Sequence, residues 1–202
     1  MANCSLSNSA RPLVIDTSVT INLTACGLGS RLLLSLDRPI LVVRTVIGEL
    51  EDGGERGQIV LTALDQWRRD RLIDIVDLQG EGCDLFEDLI SGGTIDTLDD
   101  GEAATIAHAR QVSGVAVIDD GKANRIAAQR FPELPLASTV DLISNERAIA
   151  DLGQDAIADA LFGALVGARM RVLPRNISMV VQLLGPRRTA QCHSLPRFVR
   201  PL

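Results

Sequence analysis

Apolar residues in this chain fall into short runs separated by longer stretches with helical spacing. Leu13–Ile15, Ile40–Val43, Ile73–Val76, Val115–Ile118 and Leu134–Ala137 are dominated by Leu, Ile, Val and Ala. Runs this short and this apolar read as strands buried on both faces. Between them the spacing predicts helices. One runs from Thr17 to about Leu36, interrupted near Cys26-Gly27-Leu28-Gly29-Ser30. Another begins at about Thr45, with Thr45 as its N-cap. Gln58–Arg71 follows, with Ile59, Ala63 and Trp67 on one face and Leu64 beside it. Asp84–Ile90 should end at Gly92-Gly93, and Asp99 opens a helix to about Val112. Lys122–Arg130, Val140–Ala150, Asp155–Met170 and a segment after Pro174 complete the helices. The stretch 51–57 reads as a loop, and residues 1–11 as a mobile Ser/Asn-rich leader. Strands alternating with helices predict an α/β sandwich, with a central, mostly parallel sheet flanked by helices.

Composition narrows the chemistry. The chain has 202 residues, enough for one domain with a substantial core. With 46% hydrophobic but only 2% aromatic residues, that core must be aliphatic. A row of stacking aromatics for single-stranded nucleic acid is therefore not expected. Cys4, Cys26, Cys83 and Cys192 are scattered without a C-x-x-C pair, which argues against a zinc site and suits a reducing compartment. The N-terminus lacks the basic start and apolar run of a secretory signal. No apolar stretch approaches the roughly 18–20 residues of a membrane span. A cytoplasmic protein with no membrane partner is expected.

The net charge of −6 conceals an asymmetry. All 26 acidic residues and 13 of the 20 basic ones lie in the first 159 residues, a formal −13. Residues 160–202 carry seven Arg and no acid. Such a segment can contact nucleic acid, an acidic partner or the acidic body itself. It can equally be a solvated surface.

Four acids stand near strand ends or helix starts. They are Asp16 in Leu13-Val14-Ile15-Asp16-Thr17-Ser18, Glu49 in Val46-Ile47-Gly48-Glu49-Leu50, Glu102 in Leu98-Asp99-Asp100-Gly101-Glu102-Ala103, and Asp119 in Val115-Ala116-Val117-Ile118-Asp119-Asp120. Each has a simpler reading taken alone. Asp16 can cap a helix. Glu49 can complement a helix dipole. Asp99 and Glu102 have capping-box spacing. Asp119-Asp120 is harder to dismiss, because a cap explains one carboxylate of the pair but not both. Carboxylates gathered at the carboxyl edge of a parallel sheet repel one another, and a divalent cation is the usual means of holding them together.

In combination the pattern resembles the PIN-domain nucleases. Asp-Thr-Ser follows the first strand, a Glu sits on the next helix, Gly101-Glu102-Ala103 opens a later helix, and Asp119-Asp120 follows a hydrophobic strand with Arg125 beyond. The similarity is greatest to the branch that includes many VapC-type toxins of toxin–antitoxin pairs. It extends over residues 12–172 and includes Ser138-Thr139, where the family often has Gly-Thr. The implied organisation is a leader at 1–11, a PIN-like nuclease domain at 12–172 and a basic C-terminal helix and tail at 173–202.

The resemblance implies that Asp16, Glu49, Glu102 and Asp119 form a catalytic acidic quartet. Asp16, Glu102, Asp119 and Asp120 would hold one or two Mg²⁺ or Mn²⁺ ions, with Asp119 favoured over Asp120 because it lies nearer the strand end. Ser18 and Thr139 would support the carboxylates or water, and Lys122 and Arg125 would face substrate phosphate. The implied reaction is hydrolysis of RNA to a 5′-phosphate and a 3′-hydroxyl. A small antitoxin protein and a homodimer are the implied partners. The alternative is a catalytically silent PIN-fold module that binds protein or RNA. A haloacid-dehalogenase-type phosphatase fits less well: Ser18 stands where a second Asp is needed, and Lys122, the sole Lys, follows the late Asp pair instead of preceding it. No G-x-G-x-x-G follows a strand, so a dinucleotide-binding domain is not indicated.

Overall fold

A computed structural model describes residues 10–91 and 97–200. Residues 1–9 of the expected leader, and the Gly92-Gly93 stop expected after the fifth helix, lie outside the described residues. Five strands form one sheet in the order β3-β2-β1-β4-β5, where β1 is Leu13–Ile15, β2 Ile40–Val43, β3 Asp74–Val76, β4 Val115–Val117 and β5 Leu136–Ala137. Every pairing is parallel. In the central register Leu13 faces both Ile40 and Val115. All three residues of β1 are fully buried. Helices cover both faces, so side chains on either side of each strand meet apolar partners and the strands need no polar alternation.

The twofold alternation of strand side chains divides the interior into two cores. Leu13, Ile15, Val42, Val115 and Val117 face one core. The helices there are α1 (Thr17–Ala25), α2 (Gly29–Ser35), α3 (Arg44–Asp52), α4 (Gly54–Arg69), α8 (Thr139–Ile143), α9 (Glu146–Leu152), α10 (Gln154–Gly167) and α11 (Ile177–Thr189). Val14, Val43, Ala116 and Ile118 face the other, built with α5 (Glu81–Ile90), α6 (Asp100–Gln111) and α7 (Gly121–Arg130). The expected α/β sandwich is present. Because the strands are parallel, their carboxyl ends all emerge at one edge. The strand order reverses between β1 and β4, which creates a crevice there.

Several local expectations need correction. The segment 51–57 is not an open loop: α3 runs to Asp52 and α4 starts at Gly54. Glycine permits this, since a Cβ at Gly57 would lie 1.8 Å from the Leu50 carbonyl oxygen. Thr45 is not the N-cap, because α3 begins at Arg44 after Val43. Ile59 is exposed, whereas Trp67 and Leu64 are buried as expected, joined by Gly57 and Val60. The expected helix 140–150 is two helices, separated where Asn145 caps the second by accepting from the Arg147 N–H at 3.0 Å. After α10 the chain makes a single 3-10 turn, Pro174–Asn176, before α11. There Val180 and Leu184 join Leu161 and Leu165 in the first core.

The C-terminal helix is thus part of the packed interior. Leu161 on α10 is fully buried. Leu161→Ala is expected to lower the unfolding free energy by about 2–5 kcal/mol, read from urea titration. A loss under about 1 kcal/mol would mean that this side of α10 is not closed by neighbours.

Candidate acidic site

Strand ends deliver the two innermost acids. Asp16 follows β1 directly, and its backbone N–H continues the ladder to the Val117 carbonyl at 3.2 Å. Its carboxylate caps α1: Oδ1 accepts from the Thr17 N–H at 2.6 Å and Oδ2 from the Ser18 hydroxyl at 2.8 Å. Asp119 follows β4 by one residue. Its Oδ1 accepts from the Thr139 N–H at 2.8 Å, and its Oδ2 from the Thr139 hydroxyl at 2.5 Å and Asn22 Nδ2 at 2.7 Å. Asp16 is 4% exposed and Asp119 3%.

Glu49 and Glu102 arrive from helices. The Thr17 hydroxyl donates to Glu49 Oε2, and the Gly101 N–H donates to Oε1 at 2.6 Å. Glu49 therefore ties α3 to the start of both α1 and α6. Glycine at 101 is required by this approach, since a Cβ there would lie 2.5 Å from Glu49 Oε2 and 2.8 Å from Thr17 Oγ1. Asp99 caps α6 by accepting from the Glu102 N–H at 2.9 Å, the first half of the expected capping box. Glu102 itself is 8% exposed.

These four acids line one cleft of about 350 Å³, together with Ser18, Asn22, Asp99 and Asp120. The turn after α10, Ala168 to Arg171, also lines it. The adjacent acids Asp119 and Asp120 differ in surroundings. Asp119 is buried, whereas Asp120 caps α7 through the Lys122 and Ala123 N–H groups at 2.7 and 3.1 Å. The other oxygen of Asp120 pairs with Arg171 at 2.6 Å. Lys122 is near enough to Asp99 to oppose the rise in its pKa. Arg125 is outside the cleft lining, with its guanidinium 3.4 Å from Gln129. His108 is buried in α6, away from the cleft.

The electrostatics follow from burial. The donors that hold Asp16, Glu49 and Asp119 are backbone N–H groups, hydroxyls and an amide, all neutral. Burial pushes Asp16 up to about 7, against the pull of Ser18 and with added repulsion from Asp99 and Glu49. Burial pushes Glu102 up to about 8, helped by repulsion from Asp99, Asp120 and Asp16. Asp119 is raised by burial despite its bonds from Thr139 and Asn22. Neutral donors orient these carboxylates without cancelling their charge.

The donor set suits a hard divalent cation, since every side chain that could ligate is an oxygen ligand. Among the described residues no three acidic, His or Cys side chains are already drawn in around a common ion position. Mg²⁺ does not require that, because it retains several waters and typically takes one or two carboxylates directly.

Thr17, Asn22, Asp99, Arg169 and Arg171 belong to the cleft but were not picked out as site residues from the sequence. Asn22 left a signal: it is a poor helix former sitting on the same buried side of α1 as Val19 and Leu23. Arg169 and Arg171 left only their charge.

The family model described as DUF3368, a PIN domain, matches residues 12–185. The chain therefore belongs to the PIN-domain family. A solved structure of VapBC2 from Rickettsia felis, bound to a DNA fragment from their promoter, is similar with a TM-score of 0.44 and 17% identity. That similarity covers 63% of this chain and 98% of that one. No curated protein matched.

The raised carboxyls make stability depend on pH. In the folded protein Asp16 and Glu102 keep protons that the unfolded chain, with values of 3.8 and 4.5, has already released. Their contribution is full below those unfolded values and is lost as pH rises through about 7 to 8. In EDTA the melting midpoint is expected to fall between about pH 5 and about pH 9, and Asp16→Asn should flatten the fall. A wild-type midpoint that rises across that window would contradict the electrostatics described.

Proposed function

We propose that this PIN-domain chain is a divalent-metal-dependent endoribonuclease, hydrolysing RNA phosphodiesters at the cleft between β1 and β4. One observation carries the reading. Asp16, Glu102 and Asp119 are buried together at the sheet's switch point, and the groups that hold Asp16 and Asp119 are neutral. A fold that only needed stability would gain from replacing them. Buried titratable groups clustered in a cleft are the usual mark of a functional site.

Asp16, Glu102, Asp119 and Asp120 are the residues that would hold one or two Mg²⁺ or Mn²⁺ ions. When bound, such an ion supplies charge neutralisation at the phosphate and acidifies the attacking water. The remaining work belongs to the chain. Thr139 and Asn22 fix both oxygens of Asp119, and Ser18 and the Thr17 N–H fix those of Asp16. These contacts limit the motion of each carboxylate before substrate arrives, which is the preorganisation that catalysis rewards. Glu49 holds the N-terminus of α6, and with it Glu102, against the Asp16 side of the cleft. Cleavage leaving a 5′-phosphate and a 3′-hydroxyl completes the reading.

The reading extends to a role as the toxin of a toxin–antitoxin pair, as the resemblance to VapC-type chains implies. A small antitoxin would then cover the cleft, and a homodimer is the expected assembly. No helix among the described residues is long and apolar enough to cross a membrane.

The test is cleavage of end-labelled total RNA by the purified chain with Mg²⁺, Mn²⁺ or EDTA. Asp16→Asn and Asp119→Asn should each reduce metal-dependent cleavage by at least about 100-fold while remaining folded. Cleavage that persists in EDTA, or in both variants, would refute the site. A folded, partner-free wild type that cuts no RNA with either metal would favour a silent binding module.

A further inference from the structure

The cleft has a second wall that the acidic quartet does not explain. It is the turn after α10, where the chain runs Ala168-Arg169-Met170-Arg171. Met170 is 1% exposed and sits in the core, and its N–H bonds to the Ala164 carbonyl at 3.2 Å. That anchor fixes the two flanking arginines, both exposed and both lining the cleft.

Arg169 has a φ of 57°, the left-handed conformation that ends many helices. Glycine is the residue that normally occupies such a position, and a side chain with a Cβ adds strain. The chain accepts that strain and places a guanidinium on the cleft. Among the described residues Arg169 has no ion-pair partner. Arg171 pairs with Asp120, and its side chain is 77% exposed where that of Asp120 is 25%. The solvent-facing guanidinium is the partner that can exchange, while Asp120 stays held as the cap of α7. A guanidinium matches a phosphate at least as well as a carboxylate, because its fork can donate two parallel hydrogen bonds.

We infer that Arg169 and Arg171 form a phosphate-binding rim that holds the single-stranded RNA backbone on either side of the bond to be cut. This rests on the nuclease reading above and adds the contacts that overcome the cleft's negative charge. In the free protein Asp120 keeps Arg171 in place. With RNA bound, a backbone phosphate takes over Arg171 and releases the Asp120 oxygen that held it, on a residue that already lines the cleft. A purely structural reading is available for Arg169, since a cation at a helix C-terminus complements the dipole. That reading gives no reason for either arginine to affect RNA.

The test uses the full chain in an Asp119→Asn background with Mg²⁺, so that the probe survives. Binding of a short fluorescein-labelled oligouridine is followed by anisotropy as salt is raised. Arg169→Ala and Arg171→Ala should each weaken binding several-fold and lower the slope of log affinity against log salt by about 0.7, one phosphate contact on a single strand. Arg171→Lys should keep the slope and lose affinity, because the charge remains while the fork is lost. Arg169→Gly should raise the melting midpoint by a few degrees while losing the same slope, an outcome that a structural role does not give. Arg69→Ala, on α4 and outside the cleft lining, removes the same charge and should leave the slope unchanged. Slopes for the Arg169 and Arg171 variants equal to that of the parent, or no saturable binding by the parent at low salt, would overturn the inference. Cleavage of RNA with unchanged slopes would leave the nuclease reading standing and remove only this rim. Altered slopes without cleavage by the wild type would do the reverse.

Discussion

Repulsion among buried carboxylates at the β1–β4 crevice is the constraint around which this chain is arranged. Asp16 and Asp119 are almost completely buried, and Glu102 nearly so. Each is a charge that the interior penalises, and each raises the cost of the others. The fold does not answer with arginine or lysine at the innermost positions. For Asp16 and Asp119 it answers with Thr139, Asn22, Ser18 and backbone N–H groups, which aim the carboxyls without supplying a counter-charge. Under the proposed function, such a site would receive positive charge.

The architecture makes that arrangement affordable. Parallel strands put every carboxyl end on one edge, and the reversal of strand order opens a crevice beside β1. Two aliphatic cores, one on each face, fix β1 and β4 rigidly enough to keep the acids close. Glu49 then couples three elements by reaching the Thr17 hydroxyl and the Gly101 N–H. Arg175 and Asn176 bond to Asp141, whose carboxylate completes the capping box of Ser138 directly before Thr139. The contacts that orient Asp119 are thus tied through α8 to the last part of the chain.

Much of this was legible in the sequence. Asp16 and Asp119 stand out because an apolar run that ends in an acid reads as a strand end, and strand ends in parallel sheets converge. Asp99 as the cap of α6 was legible from spacing alone. What was not legible depends on long-range approach. Nothing local to Gly101 says that its N–H meets Glu49, 52 residues away. Glycines at 53, 54 and 57 read as a loop, yet they serve to bring two helices into contact. The excess of arginine after residue 160 was plain, but its partners were not. Arg171, Arg175 and Arg188 pair with Asp120, Asp141 and Asp159, so part of the basic segment neutralises the acidic body. Arg169, by contrast, was legible only as a charge, because its backbone conformation comes from the end of α10.

If the acids receive a divalent cation, as proposed, Mn²⁺ binding reveals it. Titration calorimetry at about pH 8, close to where the raised carboxyls give up their protons, would compare the wild type with Asp119→Asn. The account predicts saturable binding of one or two ions by the wild type, weakened at least about 10-fold in the variant. Wild-type protein that binds no Mn²⁺, or a variant that binds it equally well, would contradict it.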